Sequence, residues 1–251
     1  MKNILIISRL FFLFFVFTIF LNATLHSQCL RQKDLDKIIE NPSSFFNMAV
    51  SVAGPVNRLL DKGEPGFVIK SPKGQDFFVT GGSILTDSDG NTYWQIKKDV
   101  SEVDSYGVPI EALVLIKVYP GDYVAIDGNI VVQDNLPFAI AISSIESFKP
   151  GFVSKVGANK NFSVAISMPI HPNYDWVFSQ YQGTFYCEDK AKLIGDEFIP
   201  PSDGLIGSTN KNFTFKADGQ GFATLKFDNL DYTNKDKPKR IGSKKLLIMI
   251  E

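Results

Sequence analysis

The chain has 251 residues, 44% hydrophobic and 21% charged, an ordinary globular composition with room for one large domain or two small ones. A formal net charge of −1 excludes a global field that would recruit nucleic acid or acidic lipid. Two histidines, His26 and His171, exclude a His-rich metal centre.

Residues 1–27 read as a secretory signal. Lys2 and Arg9 supply the positive start, residues 10–21 are almost wholly apolar, and Asn22, Ala23, Thr24 and Ser27 follow. The apolar run after Arg9 is shorter than the roughly 20 residues a membrane span needs. Cleavage is expected near Ser27–Gln28, leaving an exported mature chain (secreted, periplasmic or at the cell surface) without a transmembrane span. Cys29 lies just beyond. Lipid-modified cysteines usually follow Leu, a small residue, then Gly, Ala or Ser, and His26, Ser27 and Gln28 match that poorly. Two readings of the cysteines stay open: a Cys29–Cys187 disulfide, as export favours, or Cys187 as a small buried residue of a strand over 183–187.

Residues 30–48 hold a short helix, with Leu35, Ile38 and Ile39 at helical spacing and Asn41-Pro42 as its stop. Beyond it every element reads as β. Val50, Val52 and Val56 open a strand. Strands over 66–70 and 76–80 flank the turn Ser71-Pro72-Lys73-Gly74, a hairpin signal. Further strands read at 91–97, 112–118, 123–132 and 138–142. Five or so strands with Gly at their bends suggest a small closed barrel. The run Pro120-Gly121-Asp122 opening a strand that reaches Gly128-Asn129-Ile130 resembles OB-fold domains. An OB-fold raises the expectation of nucleic-acid binding. Residues 30–155, however, carry 12 Lys/Arg against 16 Asp/Glu, a net of −4, where a phosphate-tracking groove needs the opposite sign. Residues 149–159, with Pro150, Gly151 and Gly157, read as a linker, giving domains over 30–150 and 156–251.

In the second domain, Phe162, Val164, Ile166 and Met168 alternate with small or polar residues, the period of a half-buried strand. His171, Pro172, Asn173, Tyr174 and Asp175 break the pattern, with Pro172, Asn173 and Asp175 of turn-forming types, and Trp176, Val177 and Phe178 resume a strand. The segment resembles the chagasin-like inhibitors of papain-type cysteine peptidases. There a strand enters an Asn-Pro-Thr-Thr-Gly loop followed by an aromatic, one residue and Trp. Trp176 and Phe178 take the two aromatic places without a gap. Phe198 and the run Pro200-Pro201-Ser202-Asp203-Gly204-Leu205-Ile206-Gly207 resemble the family's approach to its second loop. The strand–turn–strand over 213–227 and the closing strand 246–251 continue the likeness, which spans about the last 95 residues.

The strand pattern and the two resemblances together imply an all-β protein: an OB-like barrel with a short leading helix, then an immunoglobulin-like sandwich of chagasin type. It implies inhibition of a papain-type cysteine peptidase by a wedge of three loops: His171 to Asp175; Gly207, Ser208, Thr209 and Asn210; and Leu230, Asp231 and Tyr232. Each loop departs from the family pattern. Asn173 and Tyr174 replace both Thr and Asp175 the Gly; Gly207 alone remains of the second loop's glycines; Asp231 stands where Arg would, and Trp is missing. The other reading is a cell-surface binding or structural module on the same framework.

No enzyme is expected. The chain has no Gly-x-Ser-x-Gly elbow, P-loop, dinucleotide glycine fingerprint or His-Glu-x-x-His spacing. Pairs such as Glu188-Asp189 and Asp196-Glu197 are sequence neighbours, which strands send to opposite faces. No cofactor or metal is implied, and the oligomeric state stays open.

Overall fold

The computed structural model describes Leu30 and residues 34–60, 62–71, 73–103, 109–133, 136–169, 171, 173–179, 190–199 and 208–251. Residues 1–27, read above as a secretory signal, and Cys29, Pro172, Cys187 and Gly207 lie outside the described residues. Among the described residues the architecture is all-β with one short α-helix.

Helix α1 (Leu35–Glu40) buries Leu35 and Ile38 against the first core. It stops where Asn41 N–H donates back to Lys37 O and Pro42 starts a separate 3-10 turn over Pro42–Phe45, because proline has no N–H to continue the ladder. Strands β1 (Ala49–Leu60), β2 (Gly66–Lys70) and β3 (Asp76–Thr80) come next. Then come β4 (Ser83–Thr86), β5 (Thr92–Val103), β6 (Pro109–Val118), β7 (Tyr123–Gln133) and β8 (Leu136–Phe148). A closed barrel takes five of these in the order β1-β2-β3-β8-β7. Its single parallel pair joins β3 to β8 through Val79↔Ile140 and Thr80↔Ala141. Alternation drives Val52, Phe67, Phe77, Ile126 and Ile140 into a core from which water is excluded.

Two sequence signals of the barrel have physical explanations. The Pro-Gly-Asp run is the β6–β7 turn: Gly121 has φ +90°, and Asp122 Oδ2 accepts a hydrogen bond from Tyr119 N at 3.0 Å. At Gly128 a Cβ would lie 2.3 Å from Ala141 O, so only glycine lets β8 approach β7 at the bulge there.

The strands expected at 91–97 and 112–118 exist but lie outside the barrel. They belong to a separate sheet of order β4-β5-β6. The cause is Gly81-Gly82, with φ +112° and +71°, a left-handed pair that turns the chain out of β3 into β4. Trp94 fastens this sheet to the barrel. Its ring is fully buried edge-on to Phe67, with centroids 5.0 Å apart, and its Nε1 donates to Gly81 O at 2.6 Å.

The second unit contains β9 (Val153–Val156), β10 (Asn161–Pro169), β11 (Tyr174–Ser179), β12 (Ala191–Ile199), β13 (Ser208–Ala217), β14 (Gly221–Asp231) and β15 (Lys239–Ile250). One sheet runs β10-β13-β12 and the other β11-β14-β15-β9. Phe213, Phe215 and Ile166 from the first sheet meet Leu225, Phe227 and Ile248 from the second in one core. The stretch 149–159 is part of the fold: Pro150–Phe152 forms a 3-10 turn and β9 pairs in parallel with the end of β15.

The two units touch. Phe222 and Leu247 face out of the β14–β15 sheet and are fully buried against Ala53, Ala125 and Phe148 of the barrel. Beside them Lys245 Nζ donates to Glu146 Oε1 at 2.9 Å. This contact covers the part of the sheet near residues 221–226 and 245–250.

Candidate loop site

The opposite end of the second unit gathers the segments singled out from sequence. β10 ends at Pro169 beside Ser208, the first residue of β13. β11 begins at Tyr174 beside Asp231, the last residue of β14. The first and third segments are joined directly: Tyr232 N donates to Asn173 O at 2.7 Å, and Asn173 Nδ2 to Thr233 Oγ1 at 3.4 Å. Asp231 Oδ1 accepts from both Thr233 N (2.8 Å) and Thr233 Oγ1 (2.6 Å). These bonds hold the Asp231 carboxyl below the usual carboxylate value, with the Thr233 hydroxyl as the largest cause.

Several expected loop residues are strand residues. Tyr174 and Asp175 belong to β11, Ser208, Thr209 and Asn210 to β13, and Leu230 and Asp231 to β14. His171, Asn173 and Tyr232 remain in connecting segments. The reason is strand pairing. Thr209 is matched by Met168 of β10 and its hydroxyl donates to Ile199 O, while Asn210 is matched by both Ser167 and Ile199. Tyr174 and Asp175 are matched by Asp231 and Leu230 of β14. Ladder pairing outweighs the turn preference of Ser, Thr and Asn.

Tyr174 does not stand at a loop tip. Its half-buried ring stacks on exposed His171, with centroids 3.9 Å apart and planes 23° from parallel. Asn173 N donates to His171 Nδ1 at 3.3 Å, and Tyr174 N to His171 O at 3.3 Å. Asp175, which stands where the family's loop has Gly, lies in a strand instead and meets Lys211 Nζ at 2.9 Å.

Lys211 is a site residue that the sequence motifs do not single out. It reaches Asp175 on β11 and, at 3.1 Å, Asp196 on β12, so one cation ties three strands of two sheets. A signal for it does exist: Lys211, Phe213, Phe215 and Ala217 share the inward alternation of β13. Burial opposes its charge, yet the hydrogen bonds to Asp175 and Asp196 outweigh that and raise its pKa above the ordinary ammonium value.

Among the described residues no group of three or more His, Cys, Asp or Glu gathers to hold a metal ion. No helix of the described residues is long and apolar enough to cross a membrane. No family model matches this chain, and no curated protein or solved structure matches it.

Proposed function

We propose that the protein is an exported peptidase inhibitor that blocks a papain-type cysteine peptidase without covalent chemistry. One observation carries this reading: the segments at 171–173, 208–210 and 231–234 stand together at the end of the second unit away from the barrel contact. The surroundings agree with the two resemblances. A five-stranded barrel closed by one parallel pair supports the OB-like reading, and two sheets over a Phe-rich core support the chagasin-like one. A wedge of this kind buries on the order of 800 Å² per partner, with a few central side chains dominating the energy. His171, Tyr174 and Tyr232 are the candidates, since rigid aromatic rings give large contact area at low entropic cost.

A second reading is a surface binding or structural module. The observation in its favour is that Thr209, Asn210 and Asp175 are built into strands, which leaves a blunter tip than a wedge needs. The purified mature protein assayed against papain-type, metallo- and serine peptidases separates the two. Reversible inhibition of a papain-type enzyme at micromolar protein supports the first. No inhibition of any papain-type enzyme at that concentration supports the second.

A further inference from the structure

Strands β5 and β6 outgrow the sheet they belong to. β4 pairs with β5 only from Thr92 to Gln95. β5 and β6 continue to pair with each other as far as Val103↔Pro109. Beyond Ile96 the sheet is therefore a two-stranded arm, and among the described residues no further strand pairs with either of its sides. A lone pair of strands is marginal in water and gains stability from additional strands.

The two edges of the arm differ. Over residues 97–102 the sequence of β5 carries Lys97, Lys98, Asp99 and Glu102, the kind of charge that keeps an edge from pairing. β6 carries nothing charged between Glu111 and Lys117. Val114 is 43% exposed and its neighbour Leu115 is 50% exposed, so both faces of this strand bring apolar surface to water. Lys117 is exposed as well. Its Nζ lies 4.8 Å from the centre of the Tyr93 ring, and among the described residues no carboxylate pairs with it. A long apolar edge is a template for another strand.

The sequence of β6 fits that edge to a second copy of itself. Residues 111–117 read Glu-Ala-Leu-Val-Leu-Ile-Lys. Laid antiparallel about Val114, the run is its own complement. Leu113 meets Leu115, Ala112 meets Ile116, and Glu111 meets Lys117 with the opposite charge. Residues matched across an antiparallel pair share a face, so each apolar pair and each ion pair closes on one side of the joined sheet.

We infer that two copies of this chain associate through β6, antiparallel and two-fold about Val114, in one continuous sheet of order β5-β6-β6-β5. The interface is isologous: the same edge serves both copies, and its register is set by Glu111 against Lys117 at each end. Each Lys117 gains a carboxylate there, and each two-stranded arm gains the strands it lacks. This edge belongs to the outer sheet of the first unit and does not rest on the inhibitor reading.

Sedimentation equilibrium of the full mature protein, from about 1 to 100 μM, is the test, and the unaltered chain should be dimeric at the upper end. Val114→Lys sets two ammonium groups against each other on the axis and should raise the dimer Kd at least about tenfold. Lys117→Glu and Glu111→Lys each bring like charges together at both ends and should each raise it about tenfold. An equal mixture of these two variants restores both opposite-charge pairs and should dimerise as tightly as the unaltered chain. That mixture keeps the test decisive even if Val114→Lys fails to fold. A monomer at about 100 μM overturns the proposal. So does a dimer indifferent to Val114→Lys, which would place the interface elsewhere, and so does a mixture that associates no more tightly than its two components alone.

Discussion

Lys211 Nζ lies 2.9 Å from Asp175 Oδ2, and this pair crosses from one sheet of the second unit to the other at its loop end. The lysine side chain is 11% exposed, whereas Asp175 and Asp196 are 40% and 46% exposed. Lys211→Met therefore leaves two carboxylates that water can reach, and its cost should be about 2 kcal/mol, below that of breaking a fully buried pair. Because the pKa of Lys211 is raised in the folded state, its contribution is complete below the ordinary value of 10.5 and is lost as pH rises through the higher folded value. Urea unfolding of both proteins between pH 7 and 11 checks this. The stability gap should stay constant to about pH 10 and then narrow; a gap that widens there contradicts the assignment.

Asp231 titrates in the opposite sense. Its carboxyl is lowered from the ordinary 3.8, first by the Thr233 hydroxyl and then by the Thr233 N–H. The stabilisation is present above that ordinary value and disappears as pH falls through the lower folded one. Carboxyl carbon NMR should give Asp231 a midpoint below 3.8, and Thr233→Ala should move it back upward. An unchanged midpoint in Thr233→Ala would remove Thr233 as the cause.

Much of the barrel is legible in the sequence because its strands alternate cleanly and its turns use residues with one strong backbone preference. Ser71 to Gly74 turns where expected: Gly74 N donates to Ser71 O at 2.8 Å and Gly74 has φ +80°. Strand partnership is not legible in this way. The alternation of residues 112–118 is the same whether β6 joins the barrel or the outer sheet, and the deciding feature is the glycine pair Gly81-Gly82, far upstream in the chain. The loop site departs from its sequence pattern for a related reason. Ser208, Thr209 and Asn210 have the chemistry of a loop, but β10 pairs with all three and β12 also pairs with Asn210. Local composition carries no record of those partners.

Gly128 should tolerate no side chain. Its Cβ would meet Ala141 O at 2.3 Å and Ile140 Cγ2 at 2.5 Å, one of which is backbone and cannot swing away. Gly128→Ala should destabilise the barrel by about 1–3 kcal/mol, the usual cost of overpacking. Gly74→Ala is a contrasting control, since nothing lies within 4 Å of the position its methyl would take and only its positive φ resists the change. Chemical denaturation of both variants measures the difference, and equal costs would contradict the close-approach argument.

The two units should unfold as a coupled pair. Phe222 and Leu247 lose packing partners if the barrel is removed, because they pack against Ala53, Ala125 and Phe148. Phe222→Ala should cost about 3–5 kcal/mol. A fragment beginning at residue 150, which keeps β9, should fold with a lower melting temperature than the same unit in the full chain. A fragment beginning at residue 157 loses the β9 ladder on β15 and should be weaker still. Thermal melts of the three chains give the order. Equal melting temperatures for the fragment from 150 and the full chain would mean that the contact contributes nothing.

Stability and binding should separate at the loop end. Phe178 packs edge-on to Phe215, centroids 5.1 Å apart, and lies 5.7 Å from Phe227, so it belongs to the core. It is half-buried, and Phe178→Ala should cost about 3 kcal/mol, the low end for a large aromatic. His171 and Tyr174 instead stack on each other at the end of the unit, outside that core. If the loop end enters a peptidase cleft, removing this pair takes away its largest rigid contact. His171→Ala combined with Tyr174→Ala should weaken inhibition about 30-fold, the equivalent of about 2 kcal/mol, with a far smaller change in melting temperature than Phe178→Ala produces. Inhibition constants and melting curves measured on the same preparations decide it. If the double variant inhibits as well as the unaltered protein, the stacked pair is no part of the contact, and inhibition has to be sought at Tyr232 and the residues around it.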